Sequence, residues 1–300
     1  AEFLLLSALP AMVESGHRVP PPALPLPMRP TRPTSLPTRC FRLTRMGWHI
    51  AIGLIIVATR FPRLAYAERA VVTQRWSRKL LQILGVTVEV AGDSPGFYPS
   101  NTLLVANHVS WLDIFVLNSS TVSRFVAKRE IQRWPVAGWL VASAGTVFID
   151  RNNRRDASRV NQHLARSLEN GGCMAVFPEA TTSDGSVLLP FKSSLFESVR
   201  QSRGTVQPVS LSYRTPHDTP CTAAAYAGDT TFMESLRSIL ATPAMRVELR
   251  YGNRISAAGA AHEPTRFELA EAARAEIARG LRITPALPDT AAKTPADPPA

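Results

Sequence analysis

Thr102-Leu103-Leu104-Val105-Ala106-Asn107-His108-Val109-Ser110-Trp111-Leu112-Asp113 is the stretch on which the reading of the chain turns. Residues 102–106 read as a strand, and residues 111–118 suit a helix that starts where the exit from that strand ends. His108 then sits at the carboxyl end of a strand, where α/β sheets place their chemistry. Asp113 lies about a turn into the predicted helix, with a side chain able to fold back toward the imidazole. A neutral imidazole can take a proton from an alcohol near neutral pH, while a carboxylate holds its tautomer and offsets the charge it gains. The spacing also arises by chance in a chain with six histidines, so its meaning depends on what surrounds it.

Outward from this centre, strands and helices alternate. Further strands are predicted over 86–90, 124–127, 146–149, 173–177, 205–213 and 245–251, and helices over 135–143, 156–169, 191–201, 232–240 and 265–281. That alternation specifies an α/β fold, a mixed sheet flanked by helices. At 300 residues, 45% of them hydrophobic, the chain can bury a sizeable core but does not have the composition of a polytopic membrane protein. The organisation expected is a disordered Pro-rich segment over 1–39, membrane-associated helices over 40–85, one α/β domain over 86–284 and a disordered tail over 285–300. The apolar run at 3–6 is too short for a signal-peptide core.

The charge is unevenly placed. Eleven Lys and Arg and a single acid, Glu68, lie between Met28 and Leu80, so nearly all of the formal +11 sits there. These basic residues flank apolar runs, which favours an anionic lipid surface over nucleic acid as the partner. The uninterrupted part of the apolar stretch at 43–59 is shorter than the roughly 20 residues that cross a bilayer, so an interfacial or re-entrant helix is expected in preference to a full span. A second helix fits 65–84, with Val72, Trp76, Leu80 and Ile83 on one face and Arg69, Arg75, Arg78 and Lys79 on another. Together they make an N-terminal membrane-docking helix pair.

Cys40, Cys173 and Cys221 are isolated, which argues against a disulfide framework and fits a reducing compartment. No paired Cys/His spacing or H-E-x-x-H suggests a metal. Gly92-Asp93-Ser94-Pro95-Gly96 matches the G-x-S-x-G nucleophile elbow, but Pro95, Gly96 and Pro99 favour a turn where that elbow needs a helix.

Three further blocks follow the first: Gly145-Thr146-Val147-Phe148-Ile149-Asp150-Arg151, Phe177-Pro178-Glu179-Ala180-Thr181-Thr182-Ser183 and Val206-Gln207-Pro208-Val209-Ser210. With Asn107-His108-x-Ser110-x-x-Asp113 they resemble, in order, the four blocks of the glycerolipid (lysophosphatidate) acyltransferase family. The resemblance implies transfer of a fatty acyl group from acyl-CoA or acyl carrier protein to a lysolipid hydroxyl, with 1-acyl-glycerol-3-phosphate as the first acceptor. It implies His108 as general base and Asp113 as its orienter. Asn107, Ser110, Trp111, Lys128, Arg151, Pro178, Glu179, Ala180, Thr181 and Thr182 are implied at the substrates. Arg151 would hold an anionic headgroup, and Glu179 would contact the acceptor or brace the site. The thioester donor is a substrate, and no cofactor, metal or nucleic acid is implied. The expected location is the cytoplasmic face of the inner membrane, peripheral or monotopic.

The chain departs from the family pattern twice. Ala180 stands where the third block usually has Gly, and Thr182 where many members have Arg. If position 180 needs a positive φ, Ala costs roughly 1–2 kcal/mol. Another lysolipid acceptor, such as lyso-ornithine lipid, is therefore a second expectation. A lipid-binding protein with a decayed site is a third.

Overall fold

The strand that carries the chain to His108 is buried along its whole length, and the layers are built around it. The computed structural model describes residues 32–284 apart from 134–136, 144, 150–153 and 259–261. The elements are α1 (Leu36–Thr59), α2 (Tyr66–Leu84), β1 (Val86–Ala91), β2 (Thr102–Ala106), α3 (Asp113–Ser120), β3 (Arg124–Lys128), α4 (Ala137–Ser143), β4 (Val147–Ile149) and α5 (Arg154–Glu169). They continue with β5 (Cys173–Val176), α6 (Phe196–Gln201), β6 (Thr205–Arg214), α7 (Phe232–Ala241), β7 (Met245–Tyr251), β8 (Ile255–Ser256) and α8 (Arg266–Leu281).

The sheet runs β1-β7-β6-β2-β5-β3-β4, with β8 beside β6. β6 is antiparallel to β7 and β8, and the other neighbours are parallel, so the sheet is mixed. Every residue of β2 is buried. Leu104 and Ala106 join a core with Leu84 of α2, Leu117 of α3 and Ile239 of α7. Leu103 and Val105 face the opposite core, with Leu164 of α5, Phe196 of α6 and Ile277 of α8. Alternate residues thus feed two cores, which makes the three-layer sandwich. Pro208 lies between the two antiparallel ladders of β6, because β8 pairs with Thr205 and Val206 while β7 pairs from Val209 onward. Its missing N–H is tolerated in that gap.

Chain order sets the site. From β2 the chain passes over one face of the sheet, through α3, to β3 beyond β5, whereas from β5 it passes over the other face, through α6, to β6 beyond β2. The two connections leave adjacent carboxyl ends toward opposite faces of the sheet, which opens a crevice between them. Gly92–Gly96 forms a loop after β1, in which Ser94 Oγ accepts from the Gly96 N–H at 3.2 Å.

The N-terminal boundary differs from the expected one. Residues 1–31 and 285–300, both expected to be disordered, lie outside the described residues, but α1 opens at Leu36, inside the segment placed at 1–39. Ser35 Oγ accepts from the Thr38 N–H and Pro37 occupies the first turn, a helix start the Pro-rich composition concealed. The 24-residue helix spans about 36 Å, so by length and composition it is long and apolar enough to cross a membrane. Only Met46 and Gly53 of α1 are buried. Phe41, Trp48, Ile52 and Ile55 are exposed, at spacings that share one helical face.

The other face of α1 grips α2. His49 stacks on Trp76 with ring centroids 4.7 Å apart, and Trp76 Nε1 donates to the His49 carbonyl at 3.2 Å. The second helix of the expected membrane pair is itself docked on the domain. Gln74 Nε2 donates to the Ser120 carbonyl at 3.0 Å and Arg78 Nε to the Ser119 carbonyl at 2.6 Å, so α2 caps the end of α3. Orphan carbonyls at a helix terminus attract such donors, which is why this basic face does not simply face outward.

A Cβ at Gly53 would lie 2.6 Å from Trp76 Nε1, whereas one at Gly47 of the same helix meets nothing within 4 Å. Gly53→Leu should cost about 1–3 kcal/mol of stability by overpacking. Thermal denaturation should show a lowered midpoint for Gly53→Leu and none for Gly47→Leu; equal midpoints would contradict this packing.

Candidate active site

At the carboxyl end of β2, Asn107 is pinned across the sheet. Its Nδ2 donates to the Leu211 carbonyl at 3.0 Å, and its Oδ1 accepts from the Leu211 N–H at 2.8 Å. The chain then turns sharply, and Asp113 organises the turn. Its Oδ2 accepts from His108 Nδ1 at 2.8 Å, from the Val109 N–H at 2.8 Å and from the Ser110 N–H at 2.9 Å. Its Oδ1 accepts from the Tyr213 hydroxyl at 2.6 Å. Asp113 is fully buried and is the first residue of α3, which starts two residues later than the helix expected from residue 111. Its carboxylate ties down the preceding amides, and the positive end of the helix dipole favours it there.

With Nδ1 donating to Asp113, the ring's lone pair resides on Nε2. The His108 side chain is 21% exposed, so the imidazole is accessible where its orienting partner is not. Phe177 stacks on it, ring centroids 4.0 Å apart at 11°, and Phe125 stacks on Phe177 at 6.0 Å.

The third block clamps the His108 backbone from both sides. Glu179 Oε1 accepts from the His108 N–H at 2.7 Å, and the Ser183 N–H donates to the His108 carbonyl at 2.9 Å. The other oxygen, Oε2, accepts from the Leu189 N–H at 3.0 Å. Burial pushes the Glu179 carboxyl upward, while those two backbone donors and the nearby imidazole pull it down. Arg274 of α8, itself buried, donates to the carbonyls of Leu188 and Leu189, both at 3.3 Å. Of the two expected roles for Glu179, this geometry is bracing.

The remaining residues divide in the same way. Asn107, Ser110, Pro178 and Glu179, expected at the substrates, are buried and engaged with the backbone. Ser110 Oγ accepts from the Leu112 N–H at 3.3 Å, and the Pro178 carbonyl accepts from the Lys192 N–H at 2.9 Å. Thr182 Oγ1 donates to the Tyr226 carbonyl, and the Tyr226 N–H donates to the Val109 carbonyl at 2.9 Å, so this loop too closes on the first block. Trp111 is half-buried; its Nε1 donates to Ser235 Oγ at 3.2 Å and its ring packs on Phe232. Thr181 is exposed, and Ala180 is half-buried with φ at +63°. That angle settles the meaning of the missing glycine, since position 180 sits in the left-handed region. Lys128 ends β3 opposite Ile149 of β4, so the second block leaves the sheet at the same end. Arg151 lies outside the described residues.

Tyr213 is the site residue that motif reading missed. Val209, Leu211 and Tyr213 alternate along the buried face of β6, and a tyrosine among core aliphatics needs a partner for its hydroxyl. That was the available signal.

Residues 88–212 match the model of the Acyltransferase family. The 1-acyl-sn-glycerol-3-phosphate acyltransferase of Neisseria meningitidis serogroup B is 45% identical over 136 residues, 45% of this chain and 53% of that protein. The chain therefore spans about half the length of that relative. The lyso-ornithine lipid O-acyltransferase of Pseudomonas aeruginosa is 36% identical over 205 residues, 66% of this chain and 78% of that protein. The crystal structure of a 1-acyl-sn-glycerophosphate acyltransferase from Thermotoga maritima shares the fold, with a TM-score of 0.58 at 22% identity over 81% of this chain and 96% of that one.

Two substitutions test the third block. Ala180→Gly removes strain worth roughly 1–2 kcal/mol and adds about 0.5–1 kcal/mol of backbone entropy loss, so the thermal midpoint should rise slightly. A fall would contradict the strain. Glu179→Gln sets an amide NH2 against a backbone N–H, at a cost of about 1–3 kcal/mol. A lower midpoint together with weakened turnover is expected, and an unchanged protein would remove Glu179 from the clamp.

Proposed function

From the premise that this chain belongs to the acyltransferase family, we propose that it moves a fatty acyl group from a thioester to the free hydroxyl of a lysolipid. The observation that carries the reading is His108, its Nδ1 fixed on a buried carboxylate and its Nε2 left as the base. The acceptor oxygen attacks the thioester carbonyl while Nε2 takes the hydroxyl proton, and Asp113 offsets the imidazolium charge. The tetrahedral intermediate collapses with loss of the C–S bond, and the departing thiolate recovers the proton from His108. The acceptor alcohol is itself the nucleophile, so no acyl-enzyme is needed. Acyl-CoA and acyl carrier protein present the same thioester and both fit the chemistry.

The exposed apolar face of α1 and its arginines support a seat on an anionic membrane, where the lipid acceptor resides. Arginine-rich flanks and a thioester donor made inside the cell together favour the cytoplasmic face of the inner membrane.

Lysophosphatidate is the first acceptor to test. Thr182 favours a second reading, in which lyso-ornithine lipid is the acceptor. It replaces a cation the family often uses there, and its hydroxyl is already engaged by the Tyr226 carbonyl. The more extensive likeness to a lyso-ornithine lipid acyltransferase points the same way.

The test is thiol release by the full chain from acyl-CoA with each lysolipid. The wild type should release thiol with one of them, and His108→Ala should lose at least about 100-fold in kcat while keeping its thermal midpoint. Wild-type turnover in that variant would sink the reading, and lipid binding without release would favour a lipid-binding protein. Separately, Trp48→Glu with Ile55→Glu should abolish co-sedimentation with anionic vesicles without loss of stability, since both residues are exposed.

A further inference from the structure

We propose that Tyr213 is a positioning residue of the transfer reaction, setting through Asp113 how firmly His108 holds its proton. This rests on the acyl-transfer reading above. Tyr213 lies on β6, its backbone paired with Val247 of β7 and its carbonyl accepting from the Cys221 N–H at 3.0 Å. Its hydroxyl is therefore carried by the sheet and not by a loop, which fixes its aim. The side chain is buried with Val209 and Leu211 in the apolar core, and the hydroxyl meets Asp113 Oδ1 at 2.6 Å. Burial and the adjacent Asp113 carboxylate push the phenol well above its ordinary range, so it remains a donor at any pH where the site works.

The two oxygens of Asp113 have separate tasks. Oδ2 serves the imidazole and two backbone amides, whereas Oδ1 serves Tyr213 alone among the hydrogen bonds described. A short bond from a phenol draws negative charge toward Oδ1 and weakens the pull of Oδ2 on the imidazolium proton. It also fixes the rotation of the carboxylate, and with it the plane of the His108 ring. Tyr213 is buried and engaged by Asp113, so its contribution is indirect.

Among the described residues, the titratable groups facing this centre are Asp113 from α3, Glu179 from the turn after β5 and Tyr213 from β6. Tyr213→Phe keeps the ring and removes the hydroxyl. With its charge concentrated on Oδ2, Asp113 then holds the imidazolium more tightly. The acid limb of kcat/KM should move to higher pH by about 0.5–1, and the ring-nitrogen chemical shifts of His108 should titrate higher by the same amount. The kcat should fall by about 10- to 100-fold, as it does when an outer hydrogen bond to a metal-bound histidine is lost. KM for both substrates should hold.

The control is the same substitution in an Asp113→Asn background, read by the ring-nitrogen shifts. If Tyr213 acts through the carboxylate, its effect on His108 disappears there. A His108 titration unmoved by Tyr213→Phe, at whatever kcat, overturns the proposal, and so does a shift that persists with Asn at 113. Should the phenylalanine variant not fold, incorporation of 3-fluorotyrosine keeps the bond and makes the phenol a stronger donor. His108 should then titrate at lower pH, and no movement overturns the proposal. Wild-type transfer by His108→Ala would defeat the general-base assignment on which this proposal rests, a result distinct from any of these.

Discussion

A carboxylate inside an apolar core persists only where donors surround it, and the site of this protein is organised by that demand at Asp113. Leaving such a charge without partners costs several kcal/mol. Here the donors come from three places: the imidazole of His108, the amides of Val109 and Ser110, and the hydroxyl of Tyr213. To bring two consecutive amides onto one oxygen, the chain must turn tightly as it leaves β2. The same turn delivers His108 Nδ1 and starts α3 at Asp113. Turn, tautomer and helix start are thus consequences of one buried charge.

The sheet provides the frame that holds this turn still. Adjacent strands β2 and β5 release their chains in the same crevice, so the third block closes on the first through the two backbone bonds of His108. Asn107 secures β2 to β6 just before the turn, and the Thr182–Tyr226 contact closes the outer side. Each is a bond to main chain, which resists displacement better than contact between flexible side chains. Ala180 shows that the clamp is retained even against strain, because the turn forces a positive φ on a residue that has a Cβ.

Much of the fold was legible because its strands are short, buried and bounded by turn residues. The predicted strand at 102–106 coincides with β2, and the others agree to within a residue or two at each end. What was not legible depends on contacts between residues remote in the chain. The motif leaves two roles open for Glu179, contact with the acceptor or bracing, and only its amide partners at His108 and Leu189 make the bracing geometry visible. Asn107 and Tyr213 find partners about a hundred residues away, which no local pattern reveals. The contact of α2 with the end of α3 is hidden for the same reason. Arg78, read on the basic face of a membrane-docking helix, donates to the Ser119 carbonyl, and Gln74 beside it donates to the Ser120 carbonyl.

The central claim is that His108 Nε2 takes the proton of the acceptor hydroxyl. The most direct measurement is a crystal structure of the full chain with a lysolipid and a non-transferable thioester analogue bound together. The account predicts the free hydroxyl of the lysolipid within hydrogen-bonding reach of Nε2, about 2.6–3.2 Å, with the analogue's carbonyl carbon on the far side of that oxygen. A hydroxyl held by another base, with the His108 ring turned from it, would contradict the account.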